Sequence, residues 1–155
     1  MQRTLYTLLV ISLCQVSSIA YSEEADHGYH GAHHFSVLSG ETSVRGHGDY
    51  ATLGIDYEYR LNQRYGIGFV IEHAFDDLEA TTALAVANWH VYRGWVVQFG
   101  SGFEHYHDEN IFTARTGVRY DFELSGFTLS PQVHWNYHED HHNAVVAGIA
   151  IGFSF

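Results

Sequence analysis

The sequence predicts an all-β fold, an eight-stranded antiparallel up-and-down transmembrane barrel following a cleaved signal peptide. Three observations predict it. First, the stretch from Val145 to Phe155 alternates. Val145, Ala147, Ile149, Ile151, Phe153 and Phe155 share one side of an extended strand, and Val146, Gly148, Ala150, Gly152 and Ser154 the other. A tilted strand of about 9–11 residues crosses a bilayer, and a period of two with one apolar side marks such strands. Second, the chain from Gly28 onward divides into eight short segments joined by polar turns, the pattern of a β-sandwich or barrel. Third, the N-terminus reads as a secretory signal. Arg3 precedes an apolar run from Leu5 to Leu13, and Ser18-Ile-Ala20 and Ala20-Tyr-Ser22 offer small-residue cleavage sites. That run is too short for a spanning helix of about 20 residues.

The expected organisation is a signal peptide over 1–22, a histidine-rich periplasmic segment over 23–32 and the barrel over 33–155. The strands are placed near 33–42, 50–61, 65–75, 80–92, 95–107, 111–124, 127–138 and 144–155. Asn62-Gln63-Arg64, Arg93-Gly94 and Ser125-Gly126 form tight turns at one end; 43–49, 76–79, 108–110 and 139–143 form more acidic and histidine-rich loops at the other. Alternation alone does not say which face is inside, because a soluble barrel also alternates. Here the apolar face carries the large residues, such as Leu53, Ile55, Tyr57 and Tyr59, then Tyr65, Ile67, Phe69 and Ile71. Aromatic residues gather near both strand ends: Tyr59, Tyr65, Tyr92 and Trp95 at one, Tyr50, Phe75, Phe103, Phe112 and Tyr137 at the other. Two aromatic girdles around an aliphatic band match the two bilayer interfaces. The segments 33–40 and 80–87 do not alternate cleanly, so the phase of the first and fourth strands is left open.

Composition narrows the function classes. The 155 residues suffice for one domain. Cys14 is the single cysteine and lies inside the signal, with Leu13 where a lipoprotein would carry a small residue, so neither a disulfide nor a lipid anchor is expected. The seven basic residues are all arginine and face eighteen acids, for a formal charge of −11. A nucleic-acid partner needs clustered positive charge, and none is present.

The strand number, the girdles and the closing Ile149-Ala-Ile-Gly-Phe-Ser-Phe155 resemble the small eight-stranded outer-membrane barrels, the OmpA and OmpX-like class. The resemblance spans roughly 33–155. It implies a bacterial outer-membrane location, contact with membrane lipid and lipopolysaccharide, insertion by the outer-membrane assembly machinery through the C-terminal strand, and a monomer. It does not choose an activity, since the class holds structural anchors, adhesins and lipid-modifying enzymes.

A barrel of eight strands is filled by its inward side chains. The expected lumen network comprises Asp56, Glu58, Arg60, Arg119, Asp121 and Glu123 in a lower layer, with Gln98, Asn88 and His90. Glu72, Glu104, Arg115, His134, Asn136 and His138 make an upper layer. Buried charges need partners, and Arg60 with Glu123 and Arg115 with Glu104 are the expected pairs. The acids outnumber the arginines, so histidine, protonated carboxyls or a bound cation would supply the balance.

The chain also carries thirteen histidines. His105, His107, Asp108, His138, Asp140, His141 and His142 form a candidate divalent-metal cluster at the loop rim, beside His47, and His27, His30, His33 and His34 a second in the N-terminal segment. Neutral imidazole is a good ligand for zinc, copper and nickel. The plain alternative is a hydrated loop surface. Lipid-modifying catalysis would require a nucleophile, a base and an orienting acid. His34-Phe-Ser36 and His134-Trp-Asn136 do not make such a set, so no catalytic residue is assigned. The expected function is a structural or interaction barrel with a plugged polar interior, the alternatives being metal binding and lipid modification.

Overall fold

The alternating segments close into a β-barrel in the computed structural model, which describes residues 31–139 and 142–155. The expected signal peptide and nearly all of the histidine-rich N-terminal segment lie outside these residues. The strands are β1 (His33–Val44), β2 (Gly48–Arg60), β3 (Tyr65–Ala74), β4 (Ala80–Tyr92), β5 (Trp95–Tyr106), β6 (Glu109–Tyr120), β7 (Phe122–Leu124), β8 (Phe127–His138) and β9 (Ala144–Ser154). β6 and β7 are two parts of one barrel strand, interrupted at Asp121, and both pair with β8. β1 pairs with β9, and the antiparallel circuit therefore closes as eight staves. Closure leaves no sheet edge with unpaired backbone groups, which hydrocarbon would not tolerate. Even the break at Asp121 is satisfied, its N–H donating to Gly94 O at 2.8 Å.

Strand bounds depart from the sequence reading mainly at the loop end. β1 and β2 run on to Val44 and Gly48, so the first loop shrinks to 45–47. His107 and Asp108, at φ 46° and 66°, turn the chain directly from β5 into β6. Positive φ at both central residues matches the twist of a two-residue hairpin. Arg93 and Gly94, at φ 43° and 85°, do the same at the opposite, terminal end.

Burial alternates along β1 and β4 as well, which hydropathy left ambiguous. On β4 the outward residues include Ala83, Ala85 and Ala87, whereas Leu84, Val86 and Asn88 point in. Small apolar residues outside and larger ones inside erase the contrast that a hydropathy pattern needs. The interior is accordingly mixed. Leu38, Val146 and Ala150 make one buried apolar cluster and Val70, Leu84 and Val86 another, while most other buried side chains are polar or charged. Outside, large apolar side chains stand exposed on every stave; Ile151 is 57 % and Phe103 58 % exposed.

Candidate functional site

Arg119 on β6 is the hub of the lumen near the terminal end. Its Nη2 donates to Glu58 Oε2 at 2.8 Å, Nη1 to Asp56 Oδ2 at 3.4 Å and Nε to Asp121 Oδ1 at 3.1 Å. Asp56 and Glu58 face inward together because they are two apart on β2. Glu58 is wholly buried and also accepts from His90 Nε2 at 2.6 Å, with Arg60 Nε 3.9 Å away. Ser130 donates to Asp121 at 2.7 Å, and the Gln98 amide nitrogen donates to Asp56 and Asn88, each at 3.0 Å. Gly66 makes room for this cluster: a Cβ there would sit 2.0 Å from Glu58 Oε1.

Nearer the loop end, Arg115 grips Glu72 with both guanidinium nitrogens, Nη1 to Oε1 at 2.7 Å and Nη2 to Oε2, and its Nε donates to Asn136 Oδ1 at 2.8 Å. This corrects the expected Arg115–Glu104 pair. Arg115 stands opposite Gly100 and Asn136, whereas Glu104 lies farther up β5 opposite Thr82 and Ile111. The lumen is narrow enough for Arg115 to cross it to β3, and Glu104 instead accepts from Thr82 Oγ1 at 2.9 Å, with His138 Nε2 3.3 Å away in a charge contact without hydrogen-bond geometry. Glu123 follows the inward face past Asp121 but is exposed, so Asp121 rather than Glu123 is the buried acid of the lower layer.

His134 lies between the two levels at 2 % exposure, packed over Gly117, where a Cβ would meet its Nδ1 at 2.1 Å. The gap beside it, lined by Asp56, Glu72, Gln98 and Arg115 among others, has no space wide enough for a water molecule. Asp56 Oδ1, Gln98 Oε1 and His134 Nδ1 have no hydrogen-bond partner among the described residues.

The histidines disperse. His33 and His34 are wall residues of β1 pointing to opposite faces. His33 stacks on Phe155 at 5.3 Å and bonds the Tyr57 hydroxyl at 2.6 Å, whereas His34 is buried with Nδ1 3.1 Å from Ser154 Oγ. They cannot share a ligand set, and His27 and His30 lie outside the described residues. At the rim His105 bonds Asn110 Oδ1 at 3.1 Å, and His107 and Asp108 are the central residues of the β5–β6 hairpin, His107 stacking on Tyr106 at 4.0 Å. His138 turns inward to Glu104, with Nδ1 2.9 Å from the His142 carbonyl oxygen. Asp140 and His141 are not among the described residues. Within the described residues no three His, Cys, Asp or Glu side chains gather as a metal-binding group. His142 meets His47 from the first loop, ring centroids 4.8 Å apart.

Gly66, diagonal to Glu58 on the neighbouring stave, and Gly117, opposite His134, were the overlooked sequence signal. An inward glycine beside a large polar residue on the adjacent stave marks where that side chain lies down across the wall.

Comparison with known proteins reaches the fold alone. No family model and no curated protein matches the chain. Among solved structures, the N-terminal β-barrel domain of Pseudomonas aeruginosa OprF superposes with a TM-score of 0.55 at 13% identity, covering 81% of this chain and 99% of that one. A structure from the de novo design of transmembrane β-barrels also gives 0.55 at 13% identity, over 79% of this chain and 96% of the design. The designed barrel TMB2.3 gives 0.51 at 13% identity, over 81% and 96%. The chain has the closed eight-stranded architecture of transmembrane β-barrels.

Proposed function

We propose that this protein is an integral barrel of the bacterial outer membrane with a plugged polar interior, serving a structural or interaction role without chemistry of its own. The observation that carries the reading is the inversion of the molecule. Tyr65, Ile67, Phe69 and Ile71 on one stave, and Ile149, Ile151 and Phe153 on another, are exposed, while Glu58, Glu72, Arg115 and Arg119 are buried. Such an exterior is far larger than the apolar patches that water-soluble monomers expose. Membrane lipid and lipopolysaccharide are its natural surroundings, and the closed wall suits a monomer. Insertion would proceed through the assembly machinery at the C-terminal strand.

Two features support a plug rather than a pore: the charged side chains bridge opposite walls, and the gap at His134 is too narrow for water. Catalysis lacks a constellation among the described residues. The three imidazole–hydroxyl contacts, His33–Tyr57, His34–Ser154 and His73–Thr81, have no carboxylate on the imidazole's other nitrogen among the described residues, so a nucleophile would have no oriented base.

Membrane fractionation, heat-dependent gel migration and planar-bilayer recording test this reading together. The protein should sediment with outer membranes, migrate differently when unheated in detergent, and conduct no ions when reconstituted. Recovery in the periplasmic soluble fraction would overturn the membrane assignment, and stable conductance steps would overturn the plug.

A further inference from the structure

We propose that His47 and His142 form a transition-metal site at the loop end of the barrel, taking Cu²⁺ or Ni²⁺ with water completing the coordination. The imidazoles come from separate parts of the chain, His47 from the loop 45–47 after β1 and His142 from just before β9, with ring centroids 4.8 Å apart and planes at 50°. A metal–nitrogen bond of about 2.0 Å places each ring centre roughly 3.2 Å from the ion, so two cis ligands have ring centres about 4.5–5.2 Å apart. The observed separation falls inside that window with no ion needed to bring the rings together.

The scaffold that holds them is independent of a metal. Val44 pairs with Ala144, and Arg45 N–H donates to Asn143 O at 3.4 Å, so the loops are joined at the seam where the first and last strands meet. His47 Nδ1 also faces the Arg45 carbonyl oxygen at 3.4 Å. A backbone carbonyl on one ring nitrogen is the usual partner of a ligating histidine, because it fixes the tautomer that offers the other nitrogen to the metal. Both side chains are exposed, leaving room for water ligands. Two imidazoles plus water suit the tetragonal preference of Cu²⁺ and Ni²⁺, with Cu²⁺ tightest, whereas structural Zn²⁺ usually takes four protein ligands. The formal charge of −11 draws cations toward the protein.

The test is a Cu²⁺ titration of the full refolded chain in detergent, read by calorimetry and by electron paramagnetic resonance. To separate the loop site from the N-terminal segment, the starting protein carries His27→Ala and His30→Ala. It should bind one Cu²⁺ with nitrogen couplings from two imidazoles. Adding His47→Ala or His142→Ala should weaken binding at least about tenfold and leave at most one coupled imidazole, while His105→Ala should change nothing. Unaltered heat-dependent migration checks that each variant still forms the barrel. Loss of binding in the starting protein, binding indifferent to both His47→Ala and His142→Ala, or loss on His105→Ala would each overturn the site.

Discussion

Arg115 and Arg119 lie on the same inward face of β6, both buried, yet they are used differently. Arg115 forms a closed pair: one carboxylate taken by both guanidinium arms, with Asn136 on the remaining nitrogen. Arg119 forms a node, sharing its nitrogens among Glu58, Asp56 and Asp121, and through Glu58 reaching His90 on β4. A closed pair ties two staves across the lumen, whereas a node ties several, so its removal leaves more than one carboxylate stranded. Uncompensated buried charge is the costliest defect a protein interior can hold.

The largest effect is therefore expected from Arg119→Ala, a loss of about 3–5 kcal/mol or more in urea unfolding from lipid vesicles. Arg115→Ala should fall at the lower end of that range, because only Glu72 loses its counter-charge. The contrast sharpens with a double replacement. Glu72→Leu with Arg115→Leu removes both members of a closed pair, and apolar substitutes of similar volume are often neutral or stabilising, so it should regain most of the loss. If Arg115→Ala costs more than Arg119→Ala, the distinction between pair and node fails.

The barrel was legible in the sequence because lipid exposure imposes a period of two on outward residues, and on β2, β3 and β9 those residues are large. It blurred on β4, where Ala83, Ala85 and Ala87 face out against Leu84 and Val86 within. Of the charges on the far side of the apolar staves, Asp56, Glu58, Glu72, Arg115, Arg119 and Asp121 are buried, whereas Glu123, beyond the break at Asp121, is exposed. The partners of the buried charges were not legible in the sequence. Pairing depends on register around the closed wall, which put Arg115 within reach of Glu72 across the lumen and left Glu104 to His138. At the rim, His107 and Asp108 form the β5–β6 turn, and His47 from a distant loop is the ring neighbour of His142.

Between the pair and the node, Gly117 tests how tightly the two levels are packed together. A Cβ there would lie 2.1 Å from His134 Nδ1 and 2.7 Å from Val133 O, and the second contact is backbone and cannot swing aside. Gly117→Ala should cost about 1–3 kcal/mol, as overpacking does. Adding His134→Ala should recover only the part owed to the imidazole, and recovery is read as the coupling between the two substitutions in the same unfolding assay. Full recovery would show that the wall yields there.

The smallest effect is expected at the mouth. His138 and Glu104 make a contact of 3.3 Å, but the Glu104 side chain is 14% exposed and keeps Thr82 as a donor when the imidazole is removed. Water and a remaining hydrogen bond can both take over from His138, unlike at Arg115, whose partner Glu72 lies deeper at 5% exposure. His138 is itself buried, but Glu104 keeps a donor, so His138→Ala should cost only about 1 kcal/mol, the net worth of a single hydrogen bond. It should also leave bilayer conductance at the wild-type level, because the narrow gap at His134 lies below it. A loss as large as that of Arg115→Ala would mean that the loop end is sealed from water, and that Glu104 and His138 form a second closed pair rather than an open rim.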